Sequence, residues 1–192
     1  FLFTYLIFNY QSDFMKKSFF NNYFDDIYSQ LNNFEEKKFH DICKKLKNIN
    51  KTNKIILAGN GGSASIANHV ATDLTKISKI RSITFNESNL ITCFANDYGY
   101  KKWISKGIEK FSIPGDICIL ISSSGESKNI INAAKECRRK KIYLITLSGF
   151  KSNNPLRKLG NINIWVNSNH YNYIEMTHHI WLVSLADRLA KK

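Results

Sequence analysis

The stretch that most constrains this chain runs from Asp116 to Ile121, where everything after the aspartate is apolar, and it leads directly into Ser122, Ser123 and Ser124. A strand with no polar side has to be covered on both faces, as happens in parallel sheets flanked by helices. Four comparable runs accompany it, at Lys54–Ala58, Arg81–Phe85, Ile142–Leu147 and Ile162–Val166. Between them the spacing predicts helices: one carrying Ile66, Val70 and Leu74, one capped by Ser88 and running through Phe94, then Lys101–Phe111, Lys128–Arg139, a short one near Leu156, and Tyr171–Leu189. Strands alternating with helices predict an α/β domain, a three-layer αβα arrangement around a five-stranded parallel sheet with right-handed crossovers.

Ahead of the first strand, Phe20, Tyr23, Phe24, Ile27, Tyr28 and Leu31 recur at three- and four-residue spacing. They predict an N-terminal arm of one or two helices within residues 18–48. With 192 residues and 43% hydrophobic content, a single domain over 18–192 is expected. Residues 1–17 read as an upstream extension or a disordered start, because Met15, Lys16, Lys17 and Ser18 resemble an ordinary start. The apolar opening from Phe1 to Phe8 lacks a basic leader and a small-residue cleavage site, and it is shorter than the roughly 20 residues of a membrane span.

The 28 basic and 15 acidic residues give a net charge of +13, which points to an anionic partner. The lysines, however, are spread through every segment among abundant Asn and Ile, and no RNP-type motif, zinc finger or basic-region helix organises them. Nucleic acid and membrane are therefore disfavoured as partners. Cys43, Cys93, Cys118 and Cys137 show no CxxC or metal-finger spacing, which suits a reduced cytoplasmic setting.

Parallel sheets bind ligands beyond the carboxyl ends of their strands, and two unusual turns fall at that edge. In the first, Ser122 to Ser127, a strand ends in several hydroxyls and a glycine and then opens a helix. Hydroxyl donors, free N–H groups and a helix N-terminus then converge on one point, as a phosphate requires. The triphosphate pattern GxxxxGK[ST] is missing, so no nucleotide cofactor is expected. In the second turn, Gly59 to Ser63, the glycines allow backbone to approach a ligand closely.

The order AGNGGSAS (Ala58–Ser65), ANDYGY (Ala95–Tyr100) and ISSSGESKN (Ile121–Asn129) resembles the SIS (sugar isomerase) family, in particular its phosphoheptose isomerase branch. The resemblance covers roughly Asn32 to the C-terminus and implies a flavodoxin-like fold and a phosphorylated sugar as ligand. It also implies a homotetramer joined through N-terminal helices. By it, Ser122, Ser123, Ser124 and Ser127 hold the phosphate, while Asn60, Gly61, Gly62, Ser63, Asn96, Asp97 and Glu175 line the sugar. The branch interconverts ketose and aldose phosphates through an enediol, using a carboxylate base and a histidine acid beside zinc.

The branch's residues for that step are a His and a Glu four apart on the helix after the glycine turn, and a Gln and a His eight apart on the last helix. This chain has His69 and Asp73 at the first pair, Glu175 and Val183 at the second. Valine neither moves a proton nor binds a metal. Glu175 and His179 are four apart, as His69 and Asp73 are, so each pair projects from one helical face. Together His69, Asp73, Glu175 and His179 are candidates for a mixed N/O site for zinc or another divalent cation, with Asp73 and His179 as candidate base and acid. The same pairs also serve as ordinary surface contacts. Two activities follow as expectations, a sedoheptulose 7-phosphate isomerase and a non-catalytic phosphosugar-binding regulator.

Overall fold

A computed structural model describes residues 18–191. The reading of residues 1–17 as an upstream extension or a disordered start lies outside them. The elements, in chain order, are α1 (Phe19–Asn32), α2 (Glu36–Lys47), β1 (Ile55–Ala58), α3 (Gly62–Lys76), β2 (Ser82–Thr84), α4 (Ser88–Tyr98), α5 (Trp103–Phe111), β3 (Ile117–Ile121), α6 (Lys128–Arg139), β4 (Tyr143–Ser148), a 3₁₀ turn (Leu156–Lys158), β5 (Ile162–Trp165) and α7 (Tyr171–Ala190). All five strands are parallel, in the order β2-β1-β3-β4-β5. This is the flavodoxin-like order, and its switch point lies between β1 and β3.

Strand residues alternate between two faces, and each face buries its own core. Ile55, Leu57, Ile117, Ile119, Ile145 and Leu147 pack with Ile42 and Leu46 of α2, Ile66, Val70 and Leu74 of α3, and Ile174, Trp181 and Leu185 of α7. On the other face Ile56, Cys118, Leu120 and Leu144 meet Ile104 and Ile108 of α5 and Ile130, Ala134 and Cys137 of α6. The result is the expected three-layer αβα arrangement. Each fully buried Ile or Leu contributes about 1.5–3 kcal/mol relative to exposure, which is why the apolar runs set the strands.

The helical arm is the expected pair, α1 and α2. Ser18 caps α1 by accepting a hydrogen bond from the Asn21 N–H at 3.2 Å. Tyr23 packs edge-on against Tyr173 of α7, and Trp181 Nε1 donates to the Leu31 carbonyl. The cap of α4 differs from expectation. Glu87, one residue before Ser88, receives the Asn89 and Leu90 N–H groups on its carboxylate, and it holds two donors where a serine hydroxyl would hold one.

At the amino end of the strands, Asp116 is buried against Lys54. Its carboxylate accepts from Lys54 Nζ (2.7 Å), the Lys54 and Ile113 N–H groups (both 3.0 Å) and Asn53 Nδ2 (3.2 Å). Burial pushes its proton affinity up, but these bonds together outweigh burial and hold it below the ordinary aspartate value.

Candidate functional site

Both unusual turns fall at the switch point, and the structure joins them. Asn60, after β1, and Asn129, on the first turn of α6, exchange two amide hydrogen bonds of 2.9 and 2.8 Å. This pair ties the glycine turn to the serine loop across the gap between β1 and β3. The Tyr100 hydroxyl adds a third bond to Asn60 Oδ1 at 3.3 Å.

The serine loop is fixed from below by the segment after β4. The Ser122 N–H donates to the Leu147 carbonyl, the Gly149 N–H to Ser123 and the Leu156 N–H to Gly125. Gly125 has φ +66°, and a Cβ there would collide with the buried side chain of Asn154. Asn154 in turn donates to Ser148 Oγ and to the Gly149 and Lys151 carbonyls, and accepts from the Arg157 N–H. A loop with its backbone so constrained presents its hydroxyls in a set geometry.

These hydroxyls line a cavity of about 130 Å³ bounded by Asn60, Ser63, Ile121, Ser122, Ser123, Ser124, Ser127, Tyr171 and Glu175. Ser122 Oγ donates to Ser127 Oγ at 3.2 Å, and Ser123 Oγ donates to Glu175 Oε1 at 3.3 Å. Ser127 is the N-cap of α6, so the start of that helix adjoins the cavity; the Ile130 N–H is taken by Asn129 Oδ1, while those of Lys128 and Asn129 have no acceptor within the helix. Neutral donors at a helix N-terminus suit a phosphate anion. A larger groove of about 450 Å³ lies at the far end of α7, lined by Phe34, Phe39, Leu185 and Leu189 with Lys44, Lys47 and Arg188 beside them. It lacks the convergent hydroxyl and amide donors of the smaller cavity and stands away from the switch point.

The sequence profile of the SIS domain matches residues 20–149. The chain belongs to the SIS domain family. It is 36% identical over 130 residues to the phosphoheptose isomerase of Cytophaga hutchinsonii, covering 62% of this chain and 68% of that one. It is 38% identical over 117 residues to phosphoheptose isomerase 2 of Campylobacter jejuni, where it spans 57% of this chain but only 56% of the relative. The solved phosphoheptose isomerase of Francisella tularensis superposes with a TM-score of 0.82 at 25% identity, over 90% of this chain and 97% of that one.

Within this SIS domain the sequence-derived residues divide into two groups. Asn60, Ser63, Ser122, Ser123, Ser124, Ser127 and Glu175 line one cavity; Gly61 and Gly62, at the start of α3, are not among its lining residues, though a Cβ on Gly62 would meet Glu175. Asn96 and Asp97 are not among its lining residues either; at the end of α4 the Asp97 carboxylate accepts from Asn96 Nδ2 and from the Cys93 thiol. Tyr100 is the residue of that segment that reaches Asn60. Tyr171, Asn129 and Asn154 had no assigned role in the sequence reading. Only Asn129 carried a signal there, as the last residue of the serine-loop motif.

The four candidate metal ligands do not converge. His69 Nδ1 meets His179 Nε2 at 2.7 Å, and His69 Nε2 meets Asp73 Oδ2 at 3.3 Å. These contacts use opposite nitrogens of one ring, so no single ion can be held by both. Glu175 is turned to Ser123, and Val183 packs against the core. Among the described residues no three His, Cys, Asp or Glu side chains form a metal-holding group. The set therefore does not fit a zinc ion. It forms a line instead, Asp73 to His69 to His179. Partial burial, then the neighbouring His69, lower the proton affinity of His179, while Asp73 opposes them.

Proposed function

We propose that the chain is a ketose/aldose sugar-phosphate isomerase acting on sedoheptulose 7-phosphate. The observation that carries this reading is the cavity at the switch point, where the four serines of the loop and the first turn of α6 converge in a chain similar to phosphoheptose isomerases. From that anchor the sugar would run along α3 and α7. His69 is seven residues beyond Gly62, about 10 Å along α3, and His179 is four beyond Glu175, about 6 Å along α7. This separation suits a ketose whose carbonyl lies several carbons from its phosphate.

In this reading Asp73 takes a proton from C1, and the C–H electrons form the C1–C2 double bond of an enediol. His179 gives a proton to the former carbonyl oxygen on C2. Asp73 then returns its proton to C2 while His179 takes the one on O1, leaving the aldose. His69, bonded to both, orients them. No step passes through zinc, since the residues do not converge on an ion.

A second reading, a non-catalytic phosphosugar-binding regulator, is favoured by Val183, which packs where the branch carries a histidine. A turnover assay with sedoheptulose 7-phosphate separates the two. Product formation supports the isomerase; saturable binding with no product replaces it with the regulator.

The working form we propose is a cytoplasmic homotetramer. Phe19, Phe20, Phe24 and Tyr28 of α1 are each 62–71% exposed, an apolar face suited to a second copy of the chain. Among the described residues no helix is long and apolar enough to cross a membrane. Sedimentation of purified protein tests the assembly, and a monomer at micromolar concentration would contradict it.

A further inference from the structure

The cavity contains one feature that phosphate binding does not explain. Its hydroxyl and amide donors are neutral, and among the described residues no Lys or Arg lines it and Glu175 is its one charged side chain. The carboxylate is built into place. Ser123 Oγ donates to it at 3.3 Å, and Gly62 makes room for it, because a Cβ at position 62 would strike the Glu175 carboxylate. The hydroxyl that orients Glu175 is thus one of those available to the phosphate. An anion seated on Ser123 is close to a like charge with no cation in the cavity to offset it.

We propose that Glu175 determines specificity at this cavity: its carboxylate penalises phosphate esters that lack neighbouring hydroxyls and admits those whose sugar hydroxyls hydrogen-bond to it. The inference rests on the reading of the cavity as a phosphosugar site. A carboxylate accepts several strong, charge-assisted hydrogen bonds. Hydroxyls on the carbons next to a sugar's phosphate ester supply such donors and recover what the charge repulsion costs. An ester without hydroxyls meets only the repulsion. Discrimination by an unpaired charge placed against the wrong ligand is a general route to specificity.

The test is calorimetric titration of the full chain, at one pH and one salt concentration, with methyl phosphate and with sedoheptulose 7-phosphate. Wild type is compared with Glu175→Gln and Glu175→Ala, each checked for a wild-type thermal unfolding profile. Methyl phosphate should bind at least tenfold tighter to both variants. Sedoheptulose 7-phosphate should gain less than threefold in the Gln variant, which keeps an acceptor oxygen, and should bind more weakly to the Ala variant.

Equal gains for both ligands, or no gain for methyl phosphate, would overturn the role of Glu175 and leave the phosphosugar reading intact. Failure of wild type to bind either ligand overturns both. Because only binding is measured, absence of isomerase turnover does not affect the outcome.

Discussion

The two ends of the sheet use polar residues in opposite ways. At the amino end, Asp116 is 1% exposed and takes bonds from Lys54, Ile113 and Asn53, with the shortest at 2.7 Å. Its bonding capacity is spent on the chain itself. At the carboxyl end, Ser122 and Ser123 are also buried, yet their hydroxyls make only longer bonds of 3.2 and 3.3 Å beside an open cavity. Buried polar groups that satisfy one another closely hold a fold, while those left with spare capacity around a cavity are available to a ligand.

The strongest way to break this comparison is Asp116→Ala. It leaves the Lys54 ammonium and two backbone N–H groups without their acceptor, so folding stability should fall by about 3–5 kcal/mol in urea titration. Sugar-phosphate affinity of the folded fraction should stay unchanged. A loss of affinity would mean that the two ends are coupled.

Acid sharpens the contrast. His178 is fully buried on α7; its Nε2–H donates to the Ser148 carbonyl at 3.2 Å, and its Nδ1 has no partner among the described residues. Burial lowers its pKa from 6.5 to about 4, with the Ser148 contact opposing. Between these values the unfolded chain binds the proton and the folded one does not. His178 therefore costs no stability above about pH 6.5. Stability should decline as pH falls toward 4, by about 3 kcal/mol in all. Asp116 has the opposite sign of origin and a lower window. Its contribution is present above the ordinary aspartate value and is lost only as pH falls through its depressed folded value. Urea titrations at pH 7, 5.5 and 4.5 should show this slope, with a smaller part of the same sign from half-buried His179, and Gln at position 178, which does not titrate, should remove the larger part.

The same contrast separates what the sequence revealed from what it did not. The apolar runs and the serine and glycine turns are local signals, and the strands follow them to within a residue or two, whereas the helix expected to run from Ser88 through Phe94 continues to Tyr98. Residues Lys128–Arg139, by contrast, are expected and observed as one helix. The partners of those turns are not local. Asn154 supports the serine loop from another crossover, 29 positions beyond Gly125, and Asn60 and Asn129 are 69 apart. Glu175 and His179 share a helical face, yet one bonds Ser123 and the other His69. Spacing along a helix shows which side chains face one way, but neighbouring elements determine what each meets.

The smallest expected effect probes the carboxyl end directly. Ser127 is half-buried at the N-cap of α6, and its hydroxyl accepts from Ser122 without capping its own helix. Removing it costs the helix little, so Ser127→Ala should change stability by no more than about 0.5 kcal/mol. A bound phosphate would lose one charge-assisted hydrogen bond, about 1.5 kcal/mol or roughly tenfold in affinity. Calorimetry with sedoheptulose 7-phosphate alongside urea unfolding measures both quantities on one preparation. Unchanged affinity would remove Ser127 from the cradle, and a large stability loss would make its hydroxyl structural, like Asp116 at the other end.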